Sequence, residues 1–357
     1  MRIYKIACLF LSVFMVVSLC ACAETRSPSG GELDNGSTVS TDFVPNGTSK
    51  PEEKPIEYFE NPLTGVKDIT EEETLLRPTA VIINNIGNAQ KVQSGVGRAD
   101  VVFETEVEGG ITRLLALYQA PDENIAHIGS VRSARVVFAE LTASMNAVLL
   151  YHGMDEVYCR PRLNELNVTR LEISQKAYGE RIDNGESWEH RLYTSGSSAA
   201  AARDSIAKKN DAERNSWMNF DSERAAAEKI AKSVKVKFRG SQTTDFFYNE
   251  ETGKYSRGRN GNILKDYFTG EEETFTNVFV LKTTSSLYED GYHRNVKLSG
   301  GEGYYVTKGG YEAITWTKTG EKSAIEFKNS AGELLTVSAG NSYICIVDKN
   351  AAKVTFG

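Results

Sequence analysis

Four short apolar runs, spaced through residues 79–151, constrain the fold more than any other feature of the chain. They are Thr79-Ala80-Val81-Ile82-Ile83-Asn84-Asn85, Ala99-Asp100-Val101-Val102-Phe103-Glu104, Arg113-Leu114-Leu115-Ala116-Leu117-Tyr118 and Ala147-Val148-Leu149-Leu150-Tyr151. Each is too short for a core helix, and such runs read as strands buried on both faces. Ser133 to Ser144 has mixed helical periodicity, and helical stretches recur at about 196–210 and 221–233. Asp221 is a plausible N-cap for the last, with Arg224-Ala225-Ala226-Ala227-Glu228 behind it. Strands interleaved with helices predict an α/β domain over residues 56–230.

Beyond Val234 the pattern changes. Val234-Lys235-Val236-Lys237-Phe238 alternates apolar with basic residues, and Asn260-Gly261, Gly309-Gly310 and Ala331-Gly332 supply turns at short intervals. Residues 231–357 therefore read as a second, mainly β domain, in which core packing is the expected use of the many tyrosines. Charge changes at the same place, from net −9 over residues 1–230 to net +2 beyond them. The whole chain, 357 residues at net −7, is not the basic surface that a nucleic-acid binder needs.

The first 55 residues have a different character. Arg2 and Lys5 precede an uncharged stretch from Ile6 to Ala23, the layout of an export signal. Leu19-Cys20-Ala21-Cys22 resembles the bacterial lipobox, with small Ala21 before Cys22. Residues 1–21 are then a lipoprotein signal peptide, and Cys22 becomes a lipidated N-terminus carrying a thioether-linked diacylglycerol, since two or more acyl chains anchor stably. An uncleaved signal anchor is the alternative, and either leaves the body extracytoplasmic and held at the cell membrane. Residues 22–55, rich in Ser, Gly, Thr and Asn, read as a disordered, flexible tether.

Candidate chemistry concentrates between Asp100 and Arg135. If Glu104-Thr105-Glu106-Val107-Glu108 is extended, its carboxylates project to one face at period two. Arg113 follows the Gly109-Gly110 turn, and Arg132 and Arg135 flank Ser133. Glu104, Glu108, Arg113, Arg132 and Arg135 are expected to converge on one ligand site, against the alternative of internal Glu–Arg pairs or a solvated edge. His152 ends the fourth run, while His190 and Tyr193 lie in Trp188-Glu189-His190-Arg191-Leu192-Tyr193-Thr194; with Asn85 they complete the candidate set. No zinc-ligand spacing or cofactor loop is present, because Gly95-Val96-Gly97 lacks a third glycine and precedes a strand. Cys159 and Cys345 are expected as buried free thiols, a disulfide between the domains being the alternative.

The chain also resembles the YerB-like bacterial lipoproteins over about residues 77–347. The resemblance rests on Gly97-Arg98-Ala99-Asp100-Val101-Val102-Phe103-Glu104, Glu108-Gly109-Gly110-Ile111-Thr112-Arg113, Ile128-Gly129-Ser130-Val131-Arg132-Ser133-Ala134-Arg135 and His190-Arg191-Leu192-Tyr193-Thr194-Ser195, with Gly253-Lys254-Tyr255-Ser256-Arg257 and Gly301-Glu302-Gly303-Tyr304 in the last third. It implies a lipoprotein with separate N- and C-terminal domains, and no activity. Asn84 stands where members of that family often carry Asp. Three functions follow as expectations. The first is a non-enzymatic lipoprotein that binds a cell-wall polymer or an envelope protein. The second is a hydrolase or transferase on envelope glycans using Glu104 or Glu108 with His152 or His190. The third is solute capture for a transporter.

Overall fold

In the computed structural model, which describes residues 57–207, 216–240 and 242–357, two strands from distant parts of the chain lie side by side. Ser342–Asp348 runs parallel to Val101–Glu106, from Ser342 opposite Val101 to Ile346 opposite Thr105. Every residue of both strands is buried. The signal peptide, Cys22 and the tether lie outside the described residues.

From this seam an eleven-stranded sheet extends both ways. One side continues through Thr112–Tyr118, Thr79–Asn84, Val148–Tyr151 and Arg170–Glu172, so all four apolar runs form the expected strands. The other continues through Asn277–Thr283, Gly300–Thr307 and Gly310–Thr317, with Lys229–Ile230 and Glu326–Lys328 both pairing the last of these. Thr79–Asn84, Val148–Tyr151 and Arg170–Glu172 are mutually parallel, and the Val101–Glu106/Thr112–Tyr118 pair is an antiparallel hairpin.

Side-chain alternation gives the sheet two cores. Phe103, Leu115, Leu117, Phe279 and Leu281 face one, which also holds Phe138 and Leu141 of the helix Val136–Ser144 and Leu163 of the helix Cys159–Glu165. Val102, Leu114, Val278, Val280 and Tyr343 face the other. That side is covered by the helix Gly196–Ile206, through Ala199 and Ala202, and by a six-stranded sheet contributing Val234, Val236, Phe246 and Tyr255. Cys159 belongs to the first core and Cys345 to the second. Both are free and the sheet stands between them, which removes the disulfide alternative.

The described residues carry helices up to Ile206 and only strands and turns beyond Ser216, an α/β segment followed by a mainly β one. Among the described residues that change falls between Ile206 and Asn219, ahead of the expected residue 230, and no break between packed bodies accompanies it. Residues 55–357 form one unit, because strands of the last third complete the sheet begun by the first.

The helix expected over 221–233 does not form. Asn219–Asp221 instead pairs in parallel with Thr336–Ser338, and Lys229–Ile230 and Ser233–Lys237 are strands. Arg224 donates from Nε to the Thr336 carbonyl at 2.6 Å, pairs with Glu312 and lies 4.8 Å over the Tyr305 ring. Gly310 lets the Ala227 backbone close on the sheet, since a Cβ there would sit 2.4 Å from the Ala227 carbonyl oxygen. These contacts outweigh the modest helix preference of three alanines.

Candidate functional site

The expected site divides between the two faces of the large sheet. Gly109 and Gly110, at φ of 66° and 71°, turn the chain sharply and place Glu108 in a short 3-10 turn instead of continuing the strand. Glu108 then meets Arg135, whose Nε donates to its Oε2 at 2.8 Å and whose Nη2 also pairs with it. Arg113 Nη2 lies 3.6 Å from the same carboxylate, and its Nη1 donates to the Ser133 carbonyl at 2.7 Å. Burial pushes the Glu108 carboxyl up, but the Arg135 hydrogen bond and the charges of both arginines hold it below its ordinary value. Burial, followed by repulsion from Arg135, brings Arg113 down to about 9. One carboxylate therefore serves two guanidinium groups.

Glu104 leaves the sheet on the opposite face and is closed off from solvent. Its Oε1 accepts from Asn85 Nδ2 at 2.7 Å and Thr112 Oγ1 at 2.6 Å, and its Oε2 from Thr244 Oγ1 at 2.8 Å and the Tyr343 hydroxyl at 2.7 Å. Asn85 in turn accepts at Oδ1 from Arg257 Nη2 at 2.7 Å, and Arg257 pairs with Glu273 at 2.5 Å. This buried network joins the α/β segment to the β segment, and neither Glu104 nor Asn85 is open to a ligand. A carboxylate pair of Glu104 and Glu108 flanking one substrate is thereby excluded, and the convergence of Glu104 with the arginines is corrected.

Tyr193 is also internal: its hydroxyl donates to the Val92 carbonyl and accepts from Asn184 Nδ2, both at 2.7 Å. His190, 4% exposed, has Nδ1 2.8 Å from Asn84 Nδ2 and Nε2 3.5 Å from Glu189. His152 is partly exposed, with Nδ1 2.9 Å from the Ile173 carbonyl and Nε2 3.2 Å from Arg181 Nη2. Its Nδ1 therefore carries the proton, and its Nε2 accepts from Arg181. Arg132 lies near this pair at the surface, against Glu189.

A further hollow is one that the candidate residues do not line. It is a cleft of about 520 Å³ whose walls come from Thr64–Asp68, Ser94–Asp100 and Asn124–His127 on one side and from parts of 254–276 and Ala339–Asn341 on the other. Asp68, Asp100, Asp266, Glu271, Glu272 and Glu273 line it, against Arg98 and Lys254 as the cations. His127 stacks on Phe268 with centroids 3.8 Å apart and forms an aromatic wall. Asp266 closes the two walls together by accepting from Ser94 Oγ at 2.8 Å and Gly95 N at 2.7 Å. Asp100 accepts from Gln119 N at 2.7 Å and Asn61 Nδ2 at 3.1 Å. Burial nevertheless lifts its carboxyl to about 7, with the Asp68 charge adding to the rise. Asp68 is itself raised by burial. Sequence reasoning marked neither wall as a site: Gly97-Arg98-Ala99-Asp100 carried only the family resemblance, and the opposite wall lies well over a hundred residues away.

Two family models match the chain: "Protein of unknown function (DUF3048) N-terminal domain" over residues 63–213, and the corresponding C-terminal domain over residues 234–344. The Bacillus subtilis (strain 168) protein named "Putative lipoprotein YerB" is 29% identical over 311 residues, covering 83% of this chain and 88% of that protein. The crystal structure of YerB from Bacillus subtilis superimposes with a TM-score of 0.70 at 26% identity, covering 83% of this chain and 99% of the other. The opposite walls of the cleft fall in the two matched segments.

Proposed function

The chain belongs to the YerB-like family, with its paired N- and C-terminal domains of unknown function, and from that premise we propose that it is a lipid-anchored, extracytoplasmic binding protein. Cys22 carries the lipid, and residues 22–55 hold the body at the outer face of the cell membrane. The ligand enters the cleft between the two family domains, a frequent location for binding sites. With Glu273 paired to Arg257 and Asp100 holding a proton up to about pH 7, Asp68, Asp266, Glu271 and Glu272 still outnumber Arg98 and Lys254. That balance favours a positively charged partner, an amine-bearing envelope polymer or a basic segment of an envelope protein.

The observation that carries this reading is the cleft itself: about 520 Å³, acidic, and built from both domains. Calorimetric titration of residues 57–357 with oligolysine tests it. Binding that weakens with salt, and weakens further in an Asp68→Asn/Asp100→Asn variant, is expected. No binding, or equal binding by the variant, overturns the reading.

A further inference from the structure

A second region holds charge that the cleft does not use. The strands Thr79–Asn84, Val148–Tyr151 and Arg170–Glu172 end side by side, and the segment bearing Arg132 crosses their carboxyl ends. Arg132 N donates to the Ile82 carbonyl at 2.9 Å, and His152 N donates to the Arg132 carbonyl at 3.1 Å. Carboxyl ends of parallel strands are the usual ligand edge of an open α/β sheet.

Arg132 hydrogen-bonds through Nη1 alone, to the Glu189 carbonyl at 3.2 Å and, at 3.5 Å, to its carboxylate. Its Nε is sealed from solvent, whereas Nη2, in a side chain 23% exposed, is open and has no partner. An open guanidinium N–H is a charge-assisted donor to an oxyanion. Arg113, only 3% exposed, adds positive charge close by. Beside them Arg181 donates from Nη1 to the Trp188 carbonyl at 2.7 Å, and its guanidinium lies 4.3 Å over the Trp188 ring. Trp188 is 62% exposed, so with Arg181 on one side the indole still presents a broad apolar surface to solvent. Burial lowers the pKa values of Arg113, Arg181 and His190, and the Arg132 charge adds to the fall in each. These groups repel one another, and an arriving anion would relieve the repulsion.

We propose that Arg132, Arg181 and Trp188 form a binding site for a sugar carrying a phosphate or carboxylate group. The oxyanion takes the unpartnered Nη2 of Arg132 on the solvent side of the guanidinium, and the sugar ring lies against the exposed indole. The site shares no lining residue with the acidic cleft, so neither reading depends on the other.

Binding of residues 57–357 to polygalacturonate, to polyphosphate and to uncharged dextran tests the proposal. Polygalacturonate is expected to bind and dextran not to. Arg132→Ala should weaken polygalacturonate binding about tenfold, the share of one charge-assisted hydrogen bond. Trp188→Ala should weaken polygalacturonate binding but leave polyphosphate binding unchanged. Arg132→Lys keeps the charge without the fork, and full affinity in that variant would overturn recognition through the guanidinium. Polyphosphate binding as tight as polygalacturonate, with no effect of Trp188→Ala, overturns the sugar contact. Equal binding by wild type and Arg132→Ala, with unchanged thermal midpoints, overturns the site altogether. Asp100→Asn should change none of these affinities, which keeps the result separate from that for the cleft.

Discussion

Glu104 and Arg113 lie on adjacent strands of one hairpin, and their side chains leave the sheet through opposite faces. Thr105, not Glu104, stands opposite Arg113, and one residue of register is enough to reverse the face. Glu104 is thus committed to the buried network and Arg113 to the turn held by Glu108.

Glu104 receives four hydrogen bonds from both segments of the chain, and Arg257 with Glu273 completes the network. Glu104→Ala should lower stability by about 3–5 kcal/mol, the usual consequence of removing one partner from a buried charged network. Urea unfolding measures this. A loss below about 1 kcal/mol, the level of an exposed ion pair, would mean that the network contributes little to folding.

Residues 57–230 and 231–357 should not fold separately. Without Ser342–Asp348 the Val101–Glu106 strand loses its parallel partner and exposes an apolar edge. Each half made alone is expected to give poorly dispersed amide spectra, with native dispersion only in the intact chain. Two independently dispersed halves would restore a division at residue 230.

Asp100 sets a pH dependence. Burial holds its carboxyl at about 7, against about 3.9 in an unfolded chain, so the folded protein keeps a proton that the unfolded one has released. The stability this contributes is complete below the unfolded value and is lost as pH rises through 7. Compared with Asp100→Asn, the wild type should lose on the order of 2 kcal/mol between pH 5 and 8. Parallel stability profiles for the two proteins would show that Asp100 is ionised throughout.

Cys159 and Cys345 are buried, and burial raises both thiols, Cys159 to about 12. Neither should react with a thiol reagent in the native body, and both should after denaturation. Mass spectrometry of the labelled chain counts them directly.

Cys22→Ala should abolish acylation and leave an unprocessed precursor, because Cys22 alone has both a small preceding residue and the apolar segment at the right distance. Normal lipid labelling of the variant would refute the assignment.

Local pattern alone determined the four strands of residues 79–151, the change to β structure after the helices and the tight Gly109-Gly110 turn. Each depends on side-chain volume, periodicity or charge within a few residues. Tertiary structure decided the rest. Asp221 and the alanines after it carry a helix signal, but contacts from Thr336, Glu312 and Gly310 draw that stretch against the sheet. Glu104, Glu106 and Glu108 have the spacing of one face only while the strand continues, and it stops at Glu106. The acidic cleft requires Asp266 to meet Ser94 across 172 positions, and the sheet requires Ser342–Asp348 to enter beside Val101–Glu106. Pairing between segments so far apart in the chain is chosen by the fit of whole buried surfaces, which no local pattern encodes.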